Sequence, residues 1–291
     1  MKYLSVAEIA KKWNVAERTV RNYCSNGKIT NAIIKGKTWY IPDTAQKPVK
    51  EKEQTLLEIL KEEKKSKISG RIYHKIQIEL TYNSNHIEGS SLTHEQTRYI
   101  YETNTIGIND KSVKVDDIVE TVNHFRCIDI IIDNANYKLS ENFIKDLHFM
   151  LKNGTTDSRK NWFAVGNYKK LPNEVGGIQT ISPNKVSYEI KKLLNSYNKK
   201  TKKTLEDLID FHCKFEKIHP FQDGNGRIGR LILFKECLKN NIVPFIITED
   251  LKFFYYRGLA QWNKQKGYLT DTCLTAQDRF EKYLDYFKIK Y

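Results

Sequence analysis

Nothing in this chain is apolar for long enough to cross a membrane, and the opening Met1-Lys2-Tyr3-Leu4-Ser5 lacks the apolar run of a secretory leader. No membrane partner is expected. The five cysteines (Cys24, Cys127, Cys213, Cys237 and Cys273) stand singly, with no Cys-x-x-Cys pair. An odd count without metal-ligand spacing excludes a disulfide framework and a structural zinc site, and reads as the reduced thiols of a cytoplasmic protein. No internal repeat is present. Strand signal is scarce and helical periodicity common, so the expected fold is mainly α. Acidic residues are scarce at the front: over residues 1–50, ten lysines and arginines face only Glu8, Glu17 and Asp43. That local excess of seven is half of the net charge of +14, concentrated in about a sixth of the chain. With 291 residues, 40% of them apolar, the chain can hold one substantial domain and one small one.

The densest chemistry lies in His219-Pro220-Phe221-Gln222-Asp223-Gly224-Asn225-Gly226-Arg227-Ile228-Gly229-Arg230. Glycines on both sides of Asn225 let the backbone turn with positive φ and approach an anion closely. The N–H groups of such a turn form a nest for phosphate oxygens, and a helix opening near Arg227 adds its dipole. Arg227 and Arg230, three apart, share a helix face. Asp223 is a hard oxygen ligand suited to Mg²⁺ on phosphates. His219 can take a proton near neutral pH. Together these residues point to a polyphosphate substrate. His212 and Cys213 lie close by, but they fall on an amphipathic helix with Leu208, Ile209 and Phe215 and are read as core or boundary residues.

The twelve residues fill every defining position of the Fic motif, His-Pro-Phe-x-Asp/Glu-Gly-Asn-Gly-Arg-x-x-Arg, and the chain resembles that family. The resemblance implies transfer of AMP from ATP to a Ser, Thr or Tyr hydroxyl of a protein, the chain itself included, with release of pyrophosphate. His219 would be the base and Asp223 the ligand of Mg²⁺ or Mn²⁺. Gly224, Asn225 and Gly226 would form the anion hole, and Arg227 and Arg230 would grip phosphates. Doc-type relatives, which phosphorylate instead, carry lysine where this chain has Gly226.

Three further stretches extend the likeness. Ser84-Asn85-His86-Ile87-Glu88-Gly89 resembles the inhibitory motif, in which Ser84 and Glu88 share a helix face and Glu88 pairs with Arg230 to block productive seating of ATP. Thr93 with Gln96 reads as a capping box for the next helix. Gly166 to Pro183 resembles the flap hairpin that clamps a target backbone to backbone. Its paired glycines suit a tight turn, and Val175, Gly176 and Gly177 would flank the nucleotide. Lys169 departs from the family, where arginine is common, and this bears on how the flap is anchored. Tyr255-Tyr256-Arg257-Gly258-Leu259-Ala260-Gln261-Trp262-Asn263 resembles the adenine-pocket helix, with Tyr255, Tyr256, Leu259 and Asn263 toward the base.

The basic front end reads as two helices, the first capped by Ser5, then two strands around Lys35-Gly36-Lys37. It resembles winged helix-turn-helix domains of the excisionase and MerR type. Arg18, Thr19, Arg21 and Asn22 would face a DNA major groove, with Lys35 and Lys37 on the wing. The expected organisation is a winged module at 1–47, a charged helical linker at 48–67, and a Fic helical bundle with its β-hairpin flap at 68–291. Family members lead one to expect a homodimer. Two other functions stay open: removal of AMP from a modified protein at the same site, and a DNA-binding regulator whose Fic domain senses nucleotide.

Overall fold

The Glu8 N–H donates to the Ser5 hydroxyl while the Glu8 carboxylate takes the Ser5 N–H at 2.8 Å, and this capping box starts α1 (Val6–Trp13). Asn14 closes the helix in the left-handed conformation, and α2 (Glu17–Ser25) follows. Apolar residues recur on one face of each helix, so Ile9, Trp13 and Val20 meet Ile29 and Ile41 in a small core. A hairpin of β2 (Ile33–Lys35) and β3 (Thr38–Pro42) turns at Gly36, which takes a φ of 61°. A strand the sequence did not announce, β1 (Tyr3–Ser5), lies antiparallel on the other side of β3, pairing Ser5 with Tyr40. Three residues are too few to show an alternating pattern.

The computed structural model describes residues 2–48, 54–107 and 112–291, in two units, 1–53 and 54–291. Apart from Pro48, the linker stretch at 48–53 lies outside the described residues. The rest of the expected linker is no tether. Thr55 and Glu58 form a capping box that opens α3 (Leu56–Ser66), and Leu56, Leu57 and Leu60 are buried in the core of the larger unit. The abundant charges of this segment mark the solvent face of an amphipathic helix, so the second unit begins before residue 68.

That unit continues through α4 (Ile72–Ile87), α5 (His94–Thr103), α6 (Val115–Asp133) and α7 (Glu141–Lys152). The hairpin of β4 (Glu174–Val175) and β5 (Ile178–Gln179) follows, then α8 (Pro183–Lys199), α9 (Leu205–Ile218), α10 (Asn225–Asn240), α11 (Lys252–Gln261) and α12 (Gly267–Tyr286). The Thr93–Gln96 box caps α5. Helix α10 is buried nearly all round, wrapped by α9, α6, α4, α7 and α3. Its Lys235 is buried too, satisfied by Glu236 at 2.8 Å and by the carbonyls of Ala135 and Tyr137. The start of this central helix carries the glycine-rich turn, so the rigid core fixes the site. All five cysteines are buried and unpaired. Among the described residues, no helix is long and apolar enough to cross a membrane.

Candidate active site

The loop between α9 and α10 is locked from within. The Phe221 N–H donates to Asn225 Oδ1 at 2.8 Å, and Asn225 Nδ2 returns a bond to the Phe221 carbonyl at 2.9 Å. Asn225 thereby spends its side chain on the loop, not on the space the turn faces. Gly224 takes a φ of 82° just before α10 begins at Asn225, a conformation that favours glycine. The free N–H groups of the first turn of this 16-residue helix open at that point. Phe221 is flat against His148, with ring centroids 3.9 Å apart. His148 accepts the Gly166 N–H on Nδ1 at 2.9 Å, so its Nε2–H faces the Asp223 carbonyl at 3.2 Å. Burial pushes its proton affinity down to about 3, which keeps it neutral.

His219 ends α9 with a left-handed φ of 50°. Its Nδ1 lies 3.3 Å from the carbonyl of Glu216. A carbonyl only accepts, so Nδ1 carries the proton and Nε2 keeps the lone pair. Burial, then the charge of Lys169, lower its pKa. The Glu216 carboxyl, pushed up to about 8 by burial, stays protonated at neutral pH.

Arg227 is not an open phosphate clamp. Its guanidinium, 5% exposed, donates through Nη1 to Glu120 and through Nη2 to Asp223 Oδ2 at 3.1 Å. Lys152 donates to the other oxygen of Glu120 and to Asp223 Oδ2 at 2.7 Å. Two carboxylates and two cations thus close a ring. Desolvation raises the pKa of Asp223, but Arg227 and Lys152 outweigh it and hold the carboxyl far below its ordinary range. Asp223 is nevertheless about half exposed.

Arg230 is held differently. Its Nε donates to Ser84 Oγ at 3.1 Å, and its Nη2 to the Ser84 carbonyl at 2.9 Å and Glu88 Oε1 at 2.7 Å. Nη1 is buried without a partner. Glu88 caps the C-terminus of α4, and its carboxylate lies against the bare Cα of Gly226: a Cβ there would sit 2.2 Å from Glu88 Oε1 and 2.9 Å from Arg230 Nη1. The Glu88 carboxylate therefore packs against the first turn of α10 at Gly226.

Gly176 and Gly177, with φ of 57° and 77°, make the two-residue turn of the β4–β5 hairpin, and Val175 is exposed beside them. Tyr255 is no open wall for a base. It is 1% exposed and bonded to His212 Nε2 at 2.7 Å. Tyr256 is exposed and Leu259 half-buried, while Asn263 lies past the end of α11. In the smaller unit Arg18, Arg21, Asn22, Lys35 and Lys37 are exposed and Thr19 is half-buried, with Arg21 paired to Glu17 at 3.3 Å.

Residues 138–236 match the family model described as the Fic/DOC family. This part of the chain is a Fic domain. The protein adenylyltransferase fic-1 of Caenorhabditis elegans is 25% identical over 185 residues, 61% of this chain and 35% of its own length. The protein adenylyltransferase Fic of Drosophila melanogaster is 27% identical over 214 residues, 71% of this chain and 41% of its own. The chain therefore spans well under half the length of these curated relatives. Among solved structures, a Fic domain containing signaling protein from Bacteroides thetaiotaomicron superposes with a TM-score of 0.63 at 24% identity, covering 79% of this chain and 94% of that one. Fic-1 from C. elegans superposes with a TM-score of 0.59 at 20% identity, covering 77% and 66%.

The Fic domain and the helices before it bring Glu120, Lys152 and His148 to the motif, and none of these three was singled out from sequence. Glu120 and Lys152 lie 107 and 75 residues before Arg227, on helices whose local pattern gives no sign of a partner.

Proposed function

We propose that this chain is a protein adenylyltransferase held off by Glu88. The observation that carries the reading is the Glu88 carboxylate, bonded to Arg230 and seated against Gly226 at the mouth of a complete Fic motif. A negative charge on the anion cradle opposes seating of a triphosphate there. Its removal frees Arg230 Nη2 beside the unpartnered Nη1, two donors for phosphate oxygens.

With ATP seated, the target hydroxyl oxygen bonds to the α-phosphorus and the bond to pyrophosphate breaks. Neutral His219 takes the hydroxyl proton on Nε2, and the N–H groups at the start of α10 hold the phosphate charge. A divalent cation fits the site. The Asp223 carboxylate is about half exposed and is held ionised by Arg227 and Lys152, a hard oxygen ligand that would hold Mg²⁺ together with nucleotide phosphates. When bound, it would neutralise charge on those phosphates.

Incubating wild type, Glu88→Gly and His219→Ala with labelled ATP and Mg²⁺, followed by intact mass, tests this reading. The expected result is an AMP-sized adduct that grows in Glu88→Gly and is missing in His219→Ala. No adduct in any variant overturns the transferase reading. Loss of AMP from a modified target only when Glu88 is present would establish the hydrolase instead.

For the smaller unit we propose DNA binding. The support is the exposed basic set on α2 and the β2–β3 turn, backed by a separate core. Affinity for duplex DNA should fall steeply with salt and fall further in Arg18→Ala/Arg21→Ala; salt-independent or absent binding overturns it.

A further inference from the structure

One buried lysine joins the flap to the loop that carries the base. Lys169 is 3% exposed. Its Nζ lies 2.7 Å from Asn173 Oδ1, 2.6 Å from Thr180 Oγ1 and 3.5 Å from the carbonyl of Ile218. Its backbone N–H donates to the Pro220 carbonyl at 2.9 Å. Asn173 and Thr180 are the two feet of the hairpin, and they bind each other as well. Asn173 Nδ2 then donates to the Phe221 carbonyl at 3.0 Å, and the Leu171 N–H to Gln222 Oε1 at 3.4 Å. The flap base therefore grips residues 218, 220, 221 and 222, and leaves His219 between them. The left-handed backbone of His219 is a conformation that persists where its surroundings over-determine it.

The chemistry of the pin is specific. An ammonium has three protons, and here it meets three neutral acceptors and, among the described residues, no carboxylate partner. Burial without a counter-charge pushes its pKa down to about 8. The titratable group facing it from the catalytic loop is His219, whose proton affinity it lowers. The neighbouring Tyr168 turns away, toward Lys145 and Glu141. A neutral amine has two protons for the three acceptors, so one bond of the pin is lost on deprotonation. The folded pKa lies below that of an unfolded lysine, so this group makes the protein more stable, not less, as pH rises through 8.

We propose that Lys169 is a positioning residue that fixes the flap, and with it an incoming target hydroxyl, onto His219, and that it does so while protonated, giving transfer an alkaline limit that arginine here would remove. The proposal rests on the transferase reading above. Its test compares Glu88→Gly with Glu88→Gly/Lys169→Met and Glu88→Gly/Lys169→Arg, measuring AMP transfer from labelled ATP across pH. Lys169→Met should lose about 10- to 100-fold in transfer at neutral pH with little change in KM for ATP, as expected from misplacing one reactant. Lys169→Arg should match the lysine protein at neutral pH and exceed it above about pH 8, because guanidinium keeps its charge. Glu216 titrates in the same range but equally in both proteins, so their ratio isolates residue 169. Transfer by Lys169→Met equal to that of its parent, or identical alkaline limbs for lysine and arginine, overturns the proposal. If Glu88→Gly itself transfers nothing, the transferase reading fails, and amide exchange decides for the pin. Leu171 and Thr180 should exchange severalfold faster in Lys169→Met and unchanged in Lys169→Arg; no acceleration in Lys169→Met overturns it.

Discussion

Arg227 and Arg230 sit one turn apart on the same helix, equally buried, and each meets a glutamate from a distant helix. The two pairs are built for opposite ends. Glu120 projects from within α6, is 13% exposed, and divides its oxygens between Arg227 and Lys152, while Asp223 bridges the same two cations. Glu88 stands at the end of α4, is 27% exposed, and gives one oxygen to one arginine while leaning on Gly226. A carboxylate shared by two buried cations is part of the frame. One held singly at a helix end, 27% exposed, can be removed without leaving a hole in the core. The comparison teaches that the arginines of one motif need not be held alike: Arg227 is tied into a ring with Glu120, Asp223 and Lys152, and Arg230 to Ser84 and the single carboxylate of Glu88.

The largest effect should come from breaking the ring. Lys152→Met leaves two carboxylates against one arginine in a buried setting, and breaking such a pair costs about 3–5 kcal/mol. Urea unfolding should show that loss, and transfer in the Glu88→Gly background should fall with it. A change under about 1 kcal/mol would place Lys152 among ordinary surface ion pairs and end the distinction drawn above. Glu88→Gln is the matching change on the other side. It keeps the shape and the Arg230 contact but removes the charge, so it should cost about 1–3 kcal/mol at most while raising transfer. If Glu88→Gln is as silent as wild type and Glu88→Gly is active, bulk rather than charge does the blocking.

The sequence showed one of these pairs and hid the other, for a physical reason. Ser84 to Gly89 and the twelve-residue Fic motif are each contiguous, so the resemblance they carry implied the pairing of Glu88 with Arg230. The Glu120–Lys152–Asp223 ring joins three elements far apart in the chain, and a lysine or glutamate on an amphipathic helix reads as solvated until packing buries it. The same bias misplaced residues 56–66, where charge outweighed Leu56, Leu57 and Leu60. Tyr255 erred the other way, since an aromatic beside a predicted pocket looked available but lies in the core behind Arg230. Helix positions elsewhere, from Val115 to Ile132 and from Lys185 to Tyr197, followed from periodicity, the second with one apolar face and one wet one.

A smaller effect tests the contact between Glu88 and the glycine. Gly226 lies in the first turn of α10, and its φ is not left-handed, so alanine suits its backbone. Its methyl group would nevertheless collide with the Glu88 carboxylate. Gly226→Ala should cost about 1–2 kcal/mol more when Glu88 is present than in Glu88→Gly, where only Arg230 Nη1 at 2.9 Å must give way, a coupling of neighbours that a double-mutant cycle reads directly. Equal costs in both backgrounds would mean that Glu88 does not rest on the cradle in solution.

The smallest effect is the response to mild acid, and it asks whether either network titrates in the working range. Their charges raise the pKa of both arginines, and Asp223 is held well below its ordinary value, so none of the three changes charge near neutrality. On the proposed transferase reading, the acid limb is then expected from His219. Burial lowers its pKa below that of an ordinary imidazole, so the unprotonated base persists to lower pH than in a free histidine. Below the alkaline limit set by Lys169, transfer by Glu88→Gly should therefore stay level from about pH 7 down to about 6.5 and fall only below that. The sign for stability is the same. An unfolded histidine binds a proton that the folded one resists, so folding is penalised as pH drops beneath 6.5. A fall in transfer that begins above pH 7 in Glu88→Gly would show that a group other than His219 sets the limb, and would return Arg230's neighbours to the list of candidates.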